Sequence, residues 1–199
     1  MTGVKAGVDP ALKVASSPEL DDVRLAQAKS GDRDAMSALV EVYKDRVFAL
    51  IWRMLLGHGT DRAHDLAQDT FVRVLRGVGS FDAKGTAKLS TWILTVAMRV
   101  VMNERRRVGR ERIELNEPAV DEATVESAHE RVQLAEALLA GIGALPDDQR
   151  AVFLLREYHE LEYAEIAVAL GIPENTVRSR LRRARTALRE DLAGKGVVP

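Results

Sequence analysis

The chain has 199 residues, 46% apolar and 30% charged, with acids and bases nearly cancelling at a formal net charge of -1. That length allows one ordinary domain or two small ones with real cores, and the charge balance excludes a global field for nucleic acid, so any polyanion site must rest on local clustering. Cysteine is absent, which excludes disulfides, thiolate zinc sites, cysteine nucleophiles and a thiol redox sensor within the chain.

Residues 1–20 mix Gly, Pro, Ser and Lys without periodicity and read as a loose tail. They lack a basic-then-apolar signal pattern, and the longest apolar run, VFALIW at 47–52, is far short of a bilayer, so the chain is expected to be cytoplasmic with no membrane insertion. From there on apolar residues recur three or four apart and no strand-like alternation is bounded by turn residues, which predicts an all-α protein. Breaks at Ser30-Gly31-Asp32, at Gly57-His58-Gly59 and in GSFDAKGTAK (79–88) divide residues 21–108 into four helices, roughly 22–29, 33–56, 61–77 and 90–107. Ala63, Leu66, Val72 and Leu75 are expected on one apolar face of the third, and Ile93, Val96, Ala97 and Val100 on that of the fourth.

Charge then reverses. Residues 105–112 carry five arginines and one acid, whereas 113–130 carry six acids and neither Lys nor Arg. A flexible acidic linker is expected at 109–124, between two small helical domains spanning 21–108 and 125–193, with a short tail at 194–199. In the second block, Pro146 marks a helix start, and EYAEIAVALGIPENTV gives a short helix, a Gly171-Ile172 turn and a second helix entered at Pro173. This is helix-turn-helix spacing. On a helical wheel Val177, Leu181, Ala184 and Leu188 form the buried stripe. The opposite face carries Asn175, Ser179, Arg182 and Thr186, flanked by Thr176 and Arg183 on one side and Arg178 and Arg185 on the other; Arg180 lies nearer the core edge. Short hydrogen-bonding side chains around a central arginine suit base edges, and flanking cations suit phosphates. The segregation of charge supports this: residues 147–173 hold six acids and two arginines, while 174–186 hold five arginines and one acid.

LPDDQRAVFLLREYHELEYAEIAVALGIPENTVRSRLRRARTALRE resembles the C-terminal domain (region 4) of extracytoplasmic-function (ECF) sigma factors of the sigma-70 family, which reads the minus-thirty-five promoter element. TDRAHDLAQDTFVRVLRGVGSFD with LSTWILTVAMRVVMNERRR resembles their region 2, which binds core RNA polymerase and opens the minus-ten element. The resemblance covers roughly residues 22–192. It implies a non-enzymatic factor, with no catalytic residue, metal or cofactor, whose partners are core RNA polymerase (clamp and flap), promoter DNA and an anti-sigma factor. It implies clamp binding by Asp65, Gln68, Asp69 and Val72, which also read as solvated neighbours on one helix. Minus-ten recognition and melting fall to Lys84, Lys88, Trp92, Arg99, Asn103 and Arg106, and upstream-element binding to Asn175, Thr176, Arg178, Ser179, Arg182, Arg183 and Thr186. The family's linker threads the polymerase channel later used by RNA.

Two departures stand out. Arg99 occupies a position where many relatives carry a base-reading asparagine, and Glu160-Leu161-Glu162-Tyr163 replaces a serine-capped entry to the helix-turn-helix, a loss of about 0.5–2 kcal/mol unless another group caps it. Two competing functions are a helix-turn-helix regulator acting without polymerase, and a metal phosphohydrolase built on His58, Asp61, His64 and Asp65. For the latter, the remaining histidines, His129 and His159, stand in unrelated contexts.

Overall fold

The computed structural model describes residues 19–56, 60–83, 85, 87–108 and 126–196, among which there are eight α-helices and no strand. The first block comprises α1 (Asp22–Lys29), α2 (Arg33–Met54), α3 (Thr60–Gly77) and α4 (Leu89–Val108), with a 3-10 turn at Val78–Ser80. The second comprises α5 (Glu126–Ala144), α6 (Asp147–Glu157), α7 (Tyr163–Leu170) and α8 (Glu174–Gly194).

Local chemistry explains the boundaries. Asp21 caps α1 by accepting from Arg24 N–H (2.9 Å), and Asp32 caps α2 by accepting from Ala35 N–H (2.8 Å). Between them Gly31 takes a φ of 90°, where a side chain would be strained. Tyr163 begins α7 although no serine precedes it, because Glu162 and Glu165 form a capping box in which Glu165 accepts from Glu162 N–H (2.8 Å). That answers the missing cap. Gly171 ends α7 in the left-handed region, and Pro173 is the N-cap of α8 rather than its first helical residue.

The core of the first block gathers Leu39, Tyr43, Val47, Leu50 and Ile51 of α2, Ala63, Leu66, Phe71 and Val74 of α3, and Ile93, Leu94, Ala97 and Val101 of α4. Two expectations change here. Val72 is 45% exposed, not core: it lies half a turn of the wheel from Ala63, and Thr70, Phe71 and Val74 fill the buried face instead. Glu19 and Leu20 belong to the fold rather than to a loose tail, since the Tyr43 hydroxyl donates to Glu19 (2.6 Å) and accepts from Leu20 N–H (3.2 Å). The acidic linker at 109–124 lies outside the described residues.

In the second block α8 packs along α6, α7 and α5. The approach of α5 is close: a Cβ on Gly141 would come 2.9 Å from Asp191 Oδ2 and 3.0 Å from Leu188 Cδ2. The blocks also touch each other, α4 against α7 and the end of α2 against α5 and α6. At that seam lies Arg150, 3% exposed, whose guanidinium donates to the carbonyls of Ile142 (2.9 Å), Leu145 (3.0 Å) and Gly143 in its own block and Met54 (2.8 Å) in the other. Arg105 on α4 pairs with Asp147 on α6 (Nε to Oδ2, 3.0 Å), and Thr91 on α4 donates to Glu165 on α7 (2.8 Å).

Candidate nucleic-acid interface

The buried face of α8 is Val177, Leu181, Ala184 and Leu188, which fixes what it turns outward. Asn175, Arg178, Arg182, Arg183 and Thr186 are exposed, and Thr176 and Ser179 are half-buried. The seven upstream-element candidates therefore share the outer surface of one helix. Their cations are held differently. Arg178 pairs with Glu174, donates to Asn175 Oδ1 (3.1 Å) and lies 5.6 Å from the Tyr163 ring. Arg185 donates to Glu157 (2.9 Å), Arg180 pairs with Asp148 (3.0 Å), and Arg183 donates at 3.4 Å to the Ser179 carbonyl. Arg182, at the centre, has no hydrogen-bond or ion-pair partner among the described residues.

These pairings correct one inference from charge order. The acids of 147–173 fold back onto α8, so Asp148 and Glu157 neutralise two of its arginines and the three-dimensional charges are more interspersed than the one-dimensional ones. Among the described residues of α8, the central Arg182 survives as an open cation, as does Arg189 further along the helix. Two residues missed by sequence reasoning join Arg182: Tyr163 and Arg189 line, with Arg178, Arg182, Arg185 and Thr186, a cleft of about 320 Å³ along α8. Arg189 lies seven residues past Arg182 on the same face, a signal the wheel carries; Tyr163 comes from another helix and gives none.

On α4, Trp92, Arg99, Asn103 and Arg106 fall on one stripe at helical spacing. Arg99, Asn103 and Arg106 are exposed and Trp92 is half-buried. The indole is held at the foot of this stripe by the Phe81 ring, 5.4 Å between centroids, and by the backbone of Gly77, where a Cβ would meet it at 3.2 Å. Lys88 is exposed just before the helix; Lys84 lies outside the described residues. Glu104, buried on the other side, receives Arg62 of α3 (2.9 Å) and Arg107 (3.0 and 3.1 Å). Those bonds, Arg107's first, hold its carboxyl below the usual carboxylate range in spite of burial.

Asp65, Gln68 and Val72 are exposed along the outer side of α3, with Asp69 half-buried and paired with Arg73 (2.9 Å). His64 packs on the Phe48 ring (4.5 Å), His58 lies outside the described residues, and no three His, Asp or Glu converge on a metal position among the described residues. None of the described helices is long and apolar enough to cross a membrane.

Comparison with known proteins matches both blocks to a single family. Sigma-70 region 2 matches residues 39–111, the block bearing α3 and α4, and Sigma-70 region 4 matches 135–188, the block bearing α8. The ECF RNA polymerase sigma factor SigW of Bacillus subtilis is 33% identical over 181 residues, covering 85% of this chain and 95% of that one. The chain belongs to the ECF sigma factors. Among solved structures, this sigma factor is similar to CnrH in complex with the cytosolic domain of CnrY, at TM-score 0.63 and 26% identity over 88% of this chain and 99% of that one. The sigma factor RpoE of Bartonella quintana, solved with the anti-sigma factor NepR, shares the fold at TM-score 0.65 and 23% identity over 79% and 96%. Arg99, Asn103 and Arg106 thus stand in region 2, and the α8 stripe in region 4.

Proposed function

We propose that the two exposed faces divide promoter reading between them in this alternative sigma factor, which binds core RNA polymerase and directs it to specific promoters. The α8 face reads the minus-thirty-five element. The observation that carries this is the unpaired Arg182 among pre-paired neighbours: it is free to make a bidentate contact to a guanine edge, while Arg178, Arg183 and Arg185 are positioned toward the backbone on its flanks. Asn175, Thr176, Ser179 and Thr186 supply short donors and acceptors around it.

The α4 stripe reads the minus-ten strand. Arg99, Asn103 and Arg106 present donors to an unstacked base and its phosphates, with Lys88 and Lys84 supplying cations at the helix entry and Trp92 an apolar floor. A guanidinium at position 99 favours guanine edges or phosphate, whereas asparagine offers both a donor and an acceptor. Asp65, Gln68, Asp69 and Val72 dock the polymerase clamp, an exposed apolar residue rimmed by polar ones. The chain performs no chemistry of its own and acts in the cytoplasm; an anti-sigma partner fits the capture of its relative CnrH with the cytosolic domain of CnrY.

Reconstitution tests the reading. Core polymerase loaded with this chain initiates at a promoter subset, and Arg99→Asn changes which minus-ten bases are preferred. Sequence-specific DNA binding with no association to core polymerase would favour the regulator alternative, and a uniform loss across all bases would reduce Arg99 to a phosphate contact.

A further inference from the structure

The first turn of α8 contains a hydrogen bond that decides what Asn175 can offer. Asn175 is the second residue of the helix and is exposed. Its Oδ1 accepts from Arg178 Nη1 at 3.1 Å. A guanidinium carries donors only, so the amide turns its oxygen toward Arg178 and its NH2 group away. That nitrogen has no partner among the described residues. Flipping the amide would point its N–H groups at a cation that has nothing to accept them.

Arg178 is itself held in place. Glu174, one turn back, pairs with its Nη2, and its Cζ lies 5.6 Å from the centre of the Tyr163 ring. Exposed contacts of this kind are weak singly, but three on one guanidinium restrict it together. Of the five N–H donors, Glu174 and Asn175 engage one each, so the others can meet a phosphate while the bond to Asn175 persists. Ser179 is under no such constraint: its hydroxyl donates to the Thr176 carbonyl (3.0 Å), but a hydroxyl proton rotates to suit whatever faces it.

In the major groove guanine shows acceptors at O6 and N7 and thymine at O4, whereas adenine sets an N6 amino donor beside N7 and cytosine shows an N4 amino donor. Asparagine reads adenine by using its oxygen and its nitrogen at once. With the oxygen committed to Arg178, only the N–H groups remain. They suit a keto base and oppose an amino one.

We propose that Arg178 sets the base preference of Asn175 by holding its amide donor-outward, so that Asn175 selects guanine or thymine at its position in the upstream element and rejects adenine and cytosine. The inference rests on the reading of that element by α8 proposed above, and it makes Arg178 a positioning residue as well as a phosphate contact.

The test is transcription by core RNA polymerase loaded with the full chain, from promoters randomised across the upstream element. Preference is scored as a ratio among promoters, so uniform losses cancel. Asn175→Ala identifies the position that Asn175 reads, as the one where preference collapses. There the parent favours guanine or thymine over adenine by roughly fivefold or more. Arg178→Leu frees the amide, and adenine rises to equal or exceed the keto bases, on top of a uniform loss from the missing phosphate contact. Asn175→Asp offers acceptors only and moves the preference to adenine or cytosine; a carboxylate in the first turn of a helix is favourable, so this arm does not depend on a weakened fold. Adenine or cytosine favoured by the parent at that position, an Arg178→Leu preference identical to the parent's, or an Asn175→Ala variant that changes no position overturns the inference. In each of these cases a preference elsewhere in the element that disappears with Arg182→Ala leaves the α8 reading intact, whereas a parent with no preference anywhere in the element brings down both.

Discussion

α4 and α8 each carry a run of arginines, and each ties some down while leaving others bare, but the ties lead to different places. On α8 the partners of Arg178, Arg180 and Arg185 are Glu174, Asp148 and Glu157, all within region 4. On α4, Arg107 is held by Glu104 of the same helix, whereas Arg105 reaches across to Asp147 of the other block. The α8 surface is therefore complete within its own block. The α4 surface carries, on the flank of its Trp92–Arg106 stripe, a contact already made to the other block. Density of positive charge in the sequence does not distinguish these cases; the position of the nearest carboxylate does.

The comparison can be broken most severely at Arg150. Replacing it by methionine removes the guanidinium donor from four carbonyls, of which Ile142 keeps Leu145 N–H, and we expect a loss of about 3 kcal/mol or more in urea unfolding, with the midpoint falling and helical content retained below it. A loss under about 1 kcal/mol would show that water replaces the guanidinium. Next is Arg182→Ala, expected to cost about 1–3 kcal/mol at the preferred promoter and to relax preference at one or two upstream positions, measured against a promoter library; equal losses on all sequences would remove its base-reading role.

The third concerns pH. Burial, with the charges of Arg46 and Arg53 adding to it, pushes the His159 pKa down to about 3 from the usual 6.5. The unfolded chain then binds the proton first, so the His159 contribution is fully present above pH 6.5 and is lost as pH falls toward 3, by up to about 1.4 kcal/mol per unit. Unfolding free energies between pH 7 and 5 measure this slope, and His159→Leu should flatten it; an unchanged slope would assign the acid sensitivity elsewhere. The smallest effect is at the flank of α8. Arg185→Ala should weaken all DNA sequences alike by under about 1 kcal/mol, because Glu157 already engages the guanidinium, while Glu157→Gln should free it and steepen the salt dependence by about one phosphate contact. A sequence-selective loss at Arg185 would reverse the roles given to it and Arg182.

Much of this was legible because helices announce themselves locally. The 3.6-residue period and the Ser30-Gly31-Asp32 break placed α1 and α2 within a residue or two of where they lie, and the wheel centred on Val177 found the buried stripe of α8. What escaped was long-range. Nothing near Tyr43 in the chain says that its hydroxyl will hold Glu19 and Leu20, and nothing near Arg185 says that Glu157 will meet it. Arg150 in particular carries no local signal, since its acceptors lie at the end of α5, in the turn after it and at the end of α2. Val72 is a different kind of miss, because the wheel itself puts it opposite Ala63.

Gly141 gives the reading helix a fulcrum. Its missing side chain lets α5 press on α8 at Leu188 and Asp191, near the end remote from Asn175. At 1.5 Å per residue the arm from Asp191 to Asn175 is about 24 Å, so a small tilt at the pivot is multiplied along the helix before it reaches the base-reading end. In the promoter reading proposed for them, the aim of Asn175 and Arg182 would then depend on a single hydrogen atom on α5, pressed against α8 more than one and a half helical turns from either.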